Sequence, residues 1–105
     1  MILRIWHGWT THENAGKYEY LLGNEIFPSI EKKNVKGYRK ISLLKRIFEK
    51  EVEFITIMQF DNIEAVKEFA GEDYEKSYVP ESARQVLLRH DEKSQHYEII
   101  NEISY

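Results

Sequence analysis

The chain has 105 residues, 42% hydrophobic and 31% charged, with a formal net charge of −3 and no cysteine. That size and balance suit one globular domain, 1–105, and set aside a disordered chain, a disulfide framework and a thiolate metal site. The negative charge counts against a nucleic-acid backbone as partner. No apolar run approaches the roughly 20 residues of a membrane helix, and with no basic-then-apolar leader the expected location is cytoplasmic.

Residues 2–9 read Ile-Leu-Arg-Ile-Trp-His-Gly-Trp, an apolar, β-branched and aromatic strand. Its period of two sends Leu3, Ile5, His7 and Trp9 one way and Ile2, Arg4, Trp6 and Gly8 the other. Bulky residues in both rows call for cover on both faces, hence a central place in a sheet. Thr10 with Glu13 has capping-box spacing. Ala15, Tyr18, Leu21, Leu22, Ile26 and Ile30 then recur at three and four, predicting a helix over 11–27 with a last turn reaching 30. Pro28, lacking an amide hydrogen, should kink or stop it.

After a polar connection ending at Gly37, residues 38–48 alternate cationic and apolar positions, as an edge strand does. Val52, Phe54, Thr56, Met58 and Phe60 form one row of the next strand, with Ile55 and Ile57 on the other, which makes it the second central strand. Asp61 or Asn62 caps a second helix burying Ile63, Val66, Phe69 and Ala70, and Gly71 stops it. Pro80 opens a short helix carrying Val86, Leu87 and Leu88. Residues 90–95 read as a turn and 96–103 as a last alternating strand.

Strand, helix, strand, strand, helix, strand with right-handed crossovers predicts an α+β, ferredoxin-like βαββαβ antiparallel sheet with both helices on one face. The last strand should pair antiparallel with the first. The uncovered face, expected to carry Trp6 and Ile100, should then be buried by a second copy, giving a homodimer packed sheet to sheet. Antiparallel pairing brings the end of the first strand beside the start of the last, so His7 should neighbour His96 and Tyr97. Matching rows predicts that His7, Trp9 and Tyr97 face the helices and line a cavity under Tyr18, Leu22 and Phe69. His96 then faces the barrel interior beside Trp6; a slip of one residue would exchange the environments of the two histidines.

Ile5-Trp6-His7-Gly8, the strand ending in Phe60, the Ala-Val-Lys-Glu-Phe-Ala-Gly of residues 65–71, Pro80 and His96-Tyr97-Glu98 together resemble the antibiotic biosynthesis monooxygenase-like family. The resemblance runs over almost the whole chain, in order and spacing. It implies a dimeric α/β barrel with the helices outside. For some members it implies oxidation of phenolic or quinone-like substrates by molecular oxygen without metal or flavin, hence no cofactor. A haem-degrading branch uses an asparagine on the first strand, a tryptophan on the third and a histidine on the second helix. None stands at the matching places here, which argues against haem cleavage.

Cofactor-free oxygenation of a small aromatic or polyketide-like substrate needs a base for the phenolic proton, donors for the developing anion and a dry pocket. Histidine is the natural base near neutral pH, and tyrosine and indole can donate from an apolar wall. His7 as base, with Tyr97 and Trp9 as positioning donors, is the expected catalytic set, and Tyr18, Leu22, Phe69, Trp6 and His96 the expected substrate contacts. The plainer alternative makes His7 a hydrogen-bonded structural histidine, the aromatics core or interface anchors, and His96 a salt-bridge partner of Glu98. Histidines at 7, 12, 90 and 96 lack ligand spacing, so no metal is expected. The RNA-recognition motif shares the element order, but residues 51–58 lack its basic-glycine-aromatic pattern. A non-catalytic homodimer that binds a small apolar ligand, or none, is the competing function.

Overall fold

The computed structural model describes residues Met1–Tyr105. β1 (Ile2–Thr10) and β3 (Val52–Phe60) lie side by side at the centre of one antiparallel sheet, in register from Ile2 opposite Phe60 to Thr10 opposite Val52. Both carry apolar residues in both rows, the sequence signature of inner strands. β2 (Tyr38–Ile47), with its lysines and arginines, is the outer strand beyond β3, and a bulge separates Tyr38 from Lys40.

The far side of β1 is shared by two short strands. β4 (Arg89–His90) pairs with Gly8 and Trp9, and β5 (Gln95–Glu98) pairs with Ile2 to Ile5. β4 overlaps the turn read from sequence at His90. The expected last strand over 96–103 stops at Glu98, because Glu98 already faces Ile2 and the Ile99 amide donates to the Met1 carbonyl across 3.0 Å. Nothing of β1 remains for residues 99–105 to pair with, and Ile100 is exposed rather than seated on the sheet.

α1 (His12–Leu21) is capped by Thr11, whose hydroxyl accepts the Asn14 amide at 3.1 Å. Thr10, the expected cap, is the last residue of β1, and its hydroxyl is buried without a partner. Past Leu21 the helix widens into one π-helical turn (Leu22–Ile26), in which the Phe27 amide reaches back to the Leu22 carbonyl. It then runs on as α2 (Phe27–Lys32). Pro28 therefore neither stops nor breaks it: the wide turn takes up the proline's missing hydrogen bond and its steric clash with the preceding turn. α3 (Ile63–Ala70) is capped by Asn62 and ends on Gly71 at a φ of 90°. α4 (Glu81–Arg84) is a single turn entered from Pro80, and Val86 and Leu87 pack on the core from beyond its end.

The helices cover the row of Ile2, Arg4, Trp6, Gly8 and Thr10 together with Val52, Phe54, Thr56, Met58 and Phe60. Tyr18, Leu22, Val52, Phe54, Val79 and Ala83 make one core cluster, and Met58, Phe60, Ala65 and Val66 a second. Antiparallel pairing places Leu3, Ile5, His7 and Trp9 on the opposite face, beside Ile55, Ile57, Leu44 and Tyr97. This inverts the expected facing: Trp6 and His96 lie on the helix side, and His7, Trp9 and Tyr97 on the uncovered side. No helix is long and apolar enough to cross a membrane.

Candidate functional site

A cavity of about 100 Å³ lies between the covered face of the sheet and the α1–α2 helix. Trp6, Thr56 and Met58 form its floor, Tyr18, Leu22, Ile26 and Phe27 its roof, and Phe69, Val79 and Ala83 its sides. The spacing of Tyr18, Leu22 and Ile26, four residues apart, places all three side chains over the sheet. Most of the lining is apolar, and its only ionisable side chains besides tyrosine are two cations, Arg4 and Lys33.

Arg4 is buried in the covered row of β1, at 5% exposure. Its Nη1 donates to the Tyr74 carbonyl and, across 3.0 Å, to His96 Nε2; its Nη2 makes a long contact of 3.4 Å to the Lys76 carbonyl. A guanidinium can only donate, so His96 accepts through an unprotonated Nε2. The Phe69 ring centroid lies 5.6 Å from the guanidinium carbon. No carboxylate pairs with Arg4: the ion pairs of the molecule are His7–Asp91, Arg39–Asp61, Lys45–Glu19 and Arg89–Glu51. Burial pushes the Arg4 guanidinium down to about 10 and, together with the charge on Arg4, holds the His96 imidazole below its ordinary value; Glu75 acts weakly the other way.

Tyr18 is 1% exposed, packs edge-on to Phe54 at 5.0 Å, and makes no hydrogen bond within the protein. Its hydroxyl is nevertheless not sealed in: the sole side-chain polar atom both buried and unpartnered is Thr10 Oγ1. The free phenol therefore meets the space beneath the helix, and burial raises its pKa, which keeps it a donor. Lys33 stands over the Phe69 ring at 4.5 Å and donates to the Phe69 carbonyl.

Of the residues expected to contact substrate, Tyr18, Leu22, Phe69 and Trp6 converge on this cavity. Trp6 contributes its ring, since its indole N–H is engaged by the Asp91 carbonyl at 3.0 Å. His96 stands behind Arg4, edge-on to Tyr74, and does not line the wall. His7, Trp9 and Tyr97 lie across the sheet. His7 Nδ1 contacts Asp91 Oδ2 at 2.7 Å, and the same oxygen accepts the His7 amide and Gln95 Nε2. Trp9 stacks on His7 at 6.0 Å and lies under Arg89. Tyr97 pairs with Leu3, four residues along β1 from His7, a separation of roughly 13 Å at the rise of a strand. The structure thus brings His7 and Trp9 together but leaves Tyr97 apart from both.

Sequence reasoning passed over Arg4 and Asp91. Arg4 had a signal, a lone cation in an otherwise apolar inner row; Asp91 had none, sitting in what read as a turn. No three His, Asp or Glu side chains converge in a group able to hold a metal ion.

No family model matches the chain, and neither does any curated protein. Among solved structures, it is similar over 99% of its length, and over 95% of the other chain, to a crystal structure from Bacillus cereus provisionally named an antibiotic biosynthesis monooxygenase. The TM-score is 0.67 and the sequence identity 11%. At that identity the likeness speaks for the backbone, and it supports the resemblance read from the residues at that level. The chain has the ferredoxin-like α+β fold of that monooxygenase-like protein.

Proposed function

We propose that this protein is a cofactor-independent monooxygenase acting on a small aromatic substrate in the cavity beneath α1 and α2. The observation that carries the reading is the pairing of apolar walls with two free donors, Arg4 and the Tyr18 hydroxyl. A phenol seated there would lie against a fixed cation between apolar walls, which favours its ionised form, the proton passing to water at the open side of the cavity. The phenolate is then the reductant: a hydroquinone and molecular oxygen become a hydroxyquinone and water. One oxygen atom enters the ring, the other leaves as water, and all four electrons come from the substrate. Trp6, Leu22 and Phe69 hold the ring and exclude water. The volume is below the about 150 Å³ of an engineered cavity that benzene fills, so it leaves no room for a fused polyketide, and a single ring would extend into the open side of the cavity.

The competing reading is a small-ligand-binding homodimer without turnover. It is favoured by the position of His7, the expected base, which lies on the uncovered face. In either reading Leu3, Ile5, Ile55, Ile57 and Leu44 form the surface against which a second copy packs. The His7–Asp91 pair would then stand inside the barrel so formed.

Oxygen uptake with a panel of hydroquinones and anthrones separates these. Uptake that falls in Tyr18→Phe and Arg4→Gln but survives His7→Ala supports the cavity. Loss in His7→Ala alone moves the chemistry across the sheet, and no uptake from ligands that nonetheless bind supports the competing reading.

A further inference from the structure

We propose that the ligand of this cavity carries a carboxylate on its aromatic ring and that Arg4 reads it. The inference deepens the proposed function and rests on the same cavity. It begins with an imbalance of charge: Arg4 is a buried cation without a carboxylate partner, and Lys33, the other charged side chain at the cavity, is also a cation. A buried charge is normally paired, so an apolar cavity that holds the buried Arg4 cation and no anion, with the exposed Lys33 at its edge, is complete only with an anionic guest.

The geometry narrows the kind of anion. Of the five N–H donors of a guanidinium, three are engaged, by the Tyr74 and Lys76 carbonyls and His96 Nε2. Nε–H and one Nη2–H have no protein acceptor, and Nε is not sealed from the surrounding space. Adjacent Nε and Nη2 donors form a planar fork that fits the two oxygens of a carboxylate better than the single oxygen of a phenolate. The engaged donors hold the fork in place before any ligand arrives, so little ordering remains to be done on binding. The Tyr18 hydroxyl supplies a second free donor for a ring substituent. A single-ring hydroxybenzoate has the matching features: a carboxylate for Arg4, an apolar ring for Leu22 and Phe69, and a hydroxyl for Tyr18.

The test is binding, measured by calorimetry without oxygen so that turnover plays no part. 2,5-Dihydroxybenzoate and its neutral carboxamide are titrated into the wild-type protein, Arg4→Lys and Arg4→Gln. The acid should bind the wild-type protein at least about tenfold more tightly than the amide, with the preference reduced in Arg4→Lys and erased in Arg4→Gln. Equal affinities in the wild-type protein, failure of both compounds to bind it, or a preference that survives Arg4→Gln would each overturn the proposal. The wild-type comparison stands even if a variant does not fold. A charge preference without oxygen uptake would keep this inference and sink the monooxygenase; uptake without the preference would do the reverse.

Discussion

Replacing Arg4 with methionine separates a ligand-reading guanidinium from a structural one. At neutral pH the buried cation opposes folding. Its pKa falls from the usual arginine range to about 10, which at about 1.4 kcal/mol per unit is a penalty of about 3 kcal/mol. The sign follows from burial disfavouring the charged form: the penalty is complete below about 10 and fades as pH rises toward the unfolded value. Against it stand the two short hydrogen bonds from this charged donor, to the Tyr74 carbonyl and to His96, worth about 1.5 kcal/mol each at the low end of their range, while the long contact to the Lys76 carbonyl at 3.4 Å adds little. The two sums nearly cancel. Methionine fills similar length without charge, so Arg4→Met should unfold in urea within about 1 kcal/mol of wild type, with an unchanged slope. The same variant should lose its preference for a benzoate over a benzamide. A loss of about 3 kcal/mol or more would show that the guanidinium is a strut tying residues 74–76 to β1, and the functional argument would fall with it.

Thr10→Val should raise the melting temperature, since it replaces a fully buried hydroxyl without a partner by a methyl group of the same shape; a gain of about 1 kcal/mol is several degrees in a domain of this size. A fall would mean that the hydroxyl is hydrogen-bonded in solution. His96→Gln should make stability less sensitive to acid. Burial, then Arg4, lowers the native imidazole below 6.5, so the unfolded chain binds the proton more readily and wild-type stability is lost as pH falls through that value. Urea midpoints compared at about pH 7 and about pH 5 read the difference, and equal slopes for both proteins would contradict it. Phe60→Ala should cost about 3–5 kcal/mol, because the side chain is fully buried between Tyr38 and Phe69. A smaller cost in thermal melts would show that the second core cluster collapses onto the space left behind.

The central strands were legible because a period of two with bulky residues in both rows has few other homes. Which row the helices cover was harder to read from β1 alone, since each row holds one polar residue, Arg4 or His7. The deciding signal lay on β3. Val52, Phe54, Met58 and Phe60 form its heavier row, and antiparallel pairing carries that face onto Ile2, Arg4 and Trp6 rather than onto Leu3, Ile5 and His7. The helix caps show the same limit at smaller scale. Thr10 and Thr11 have equal intrinsic merit, and the pairing of Thr10 with Val52 gives the cap to its neighbour. Pro28 reads as a helix stop unless the chain can widen ahead of it, and the π-helical turn over Leu22–Ile26 depends on no residue type that marks it. Of the residues expected to contact substrate, Tyr18, Leu22, Phe69 and Trp6 line one cavity, and helix periodicity and aromatic content are what marked them in the sequence. The group that polarises it, Arg4, was visible as a charge in an inner row but was outweighed by the familiar chemistry of histidine.

The most direct test is a crystal structure of the protein soaked with 2,5-dihydroxybenzoate. The ring should lie beneath Tyr18 and Leu22, with both carboxylate oxygens on the Nε and Nη2 edge of Arg4. Density beside His7 and Trp9 on the other face of the sheet, with the cavity under the helices unfilled, would contradict the account.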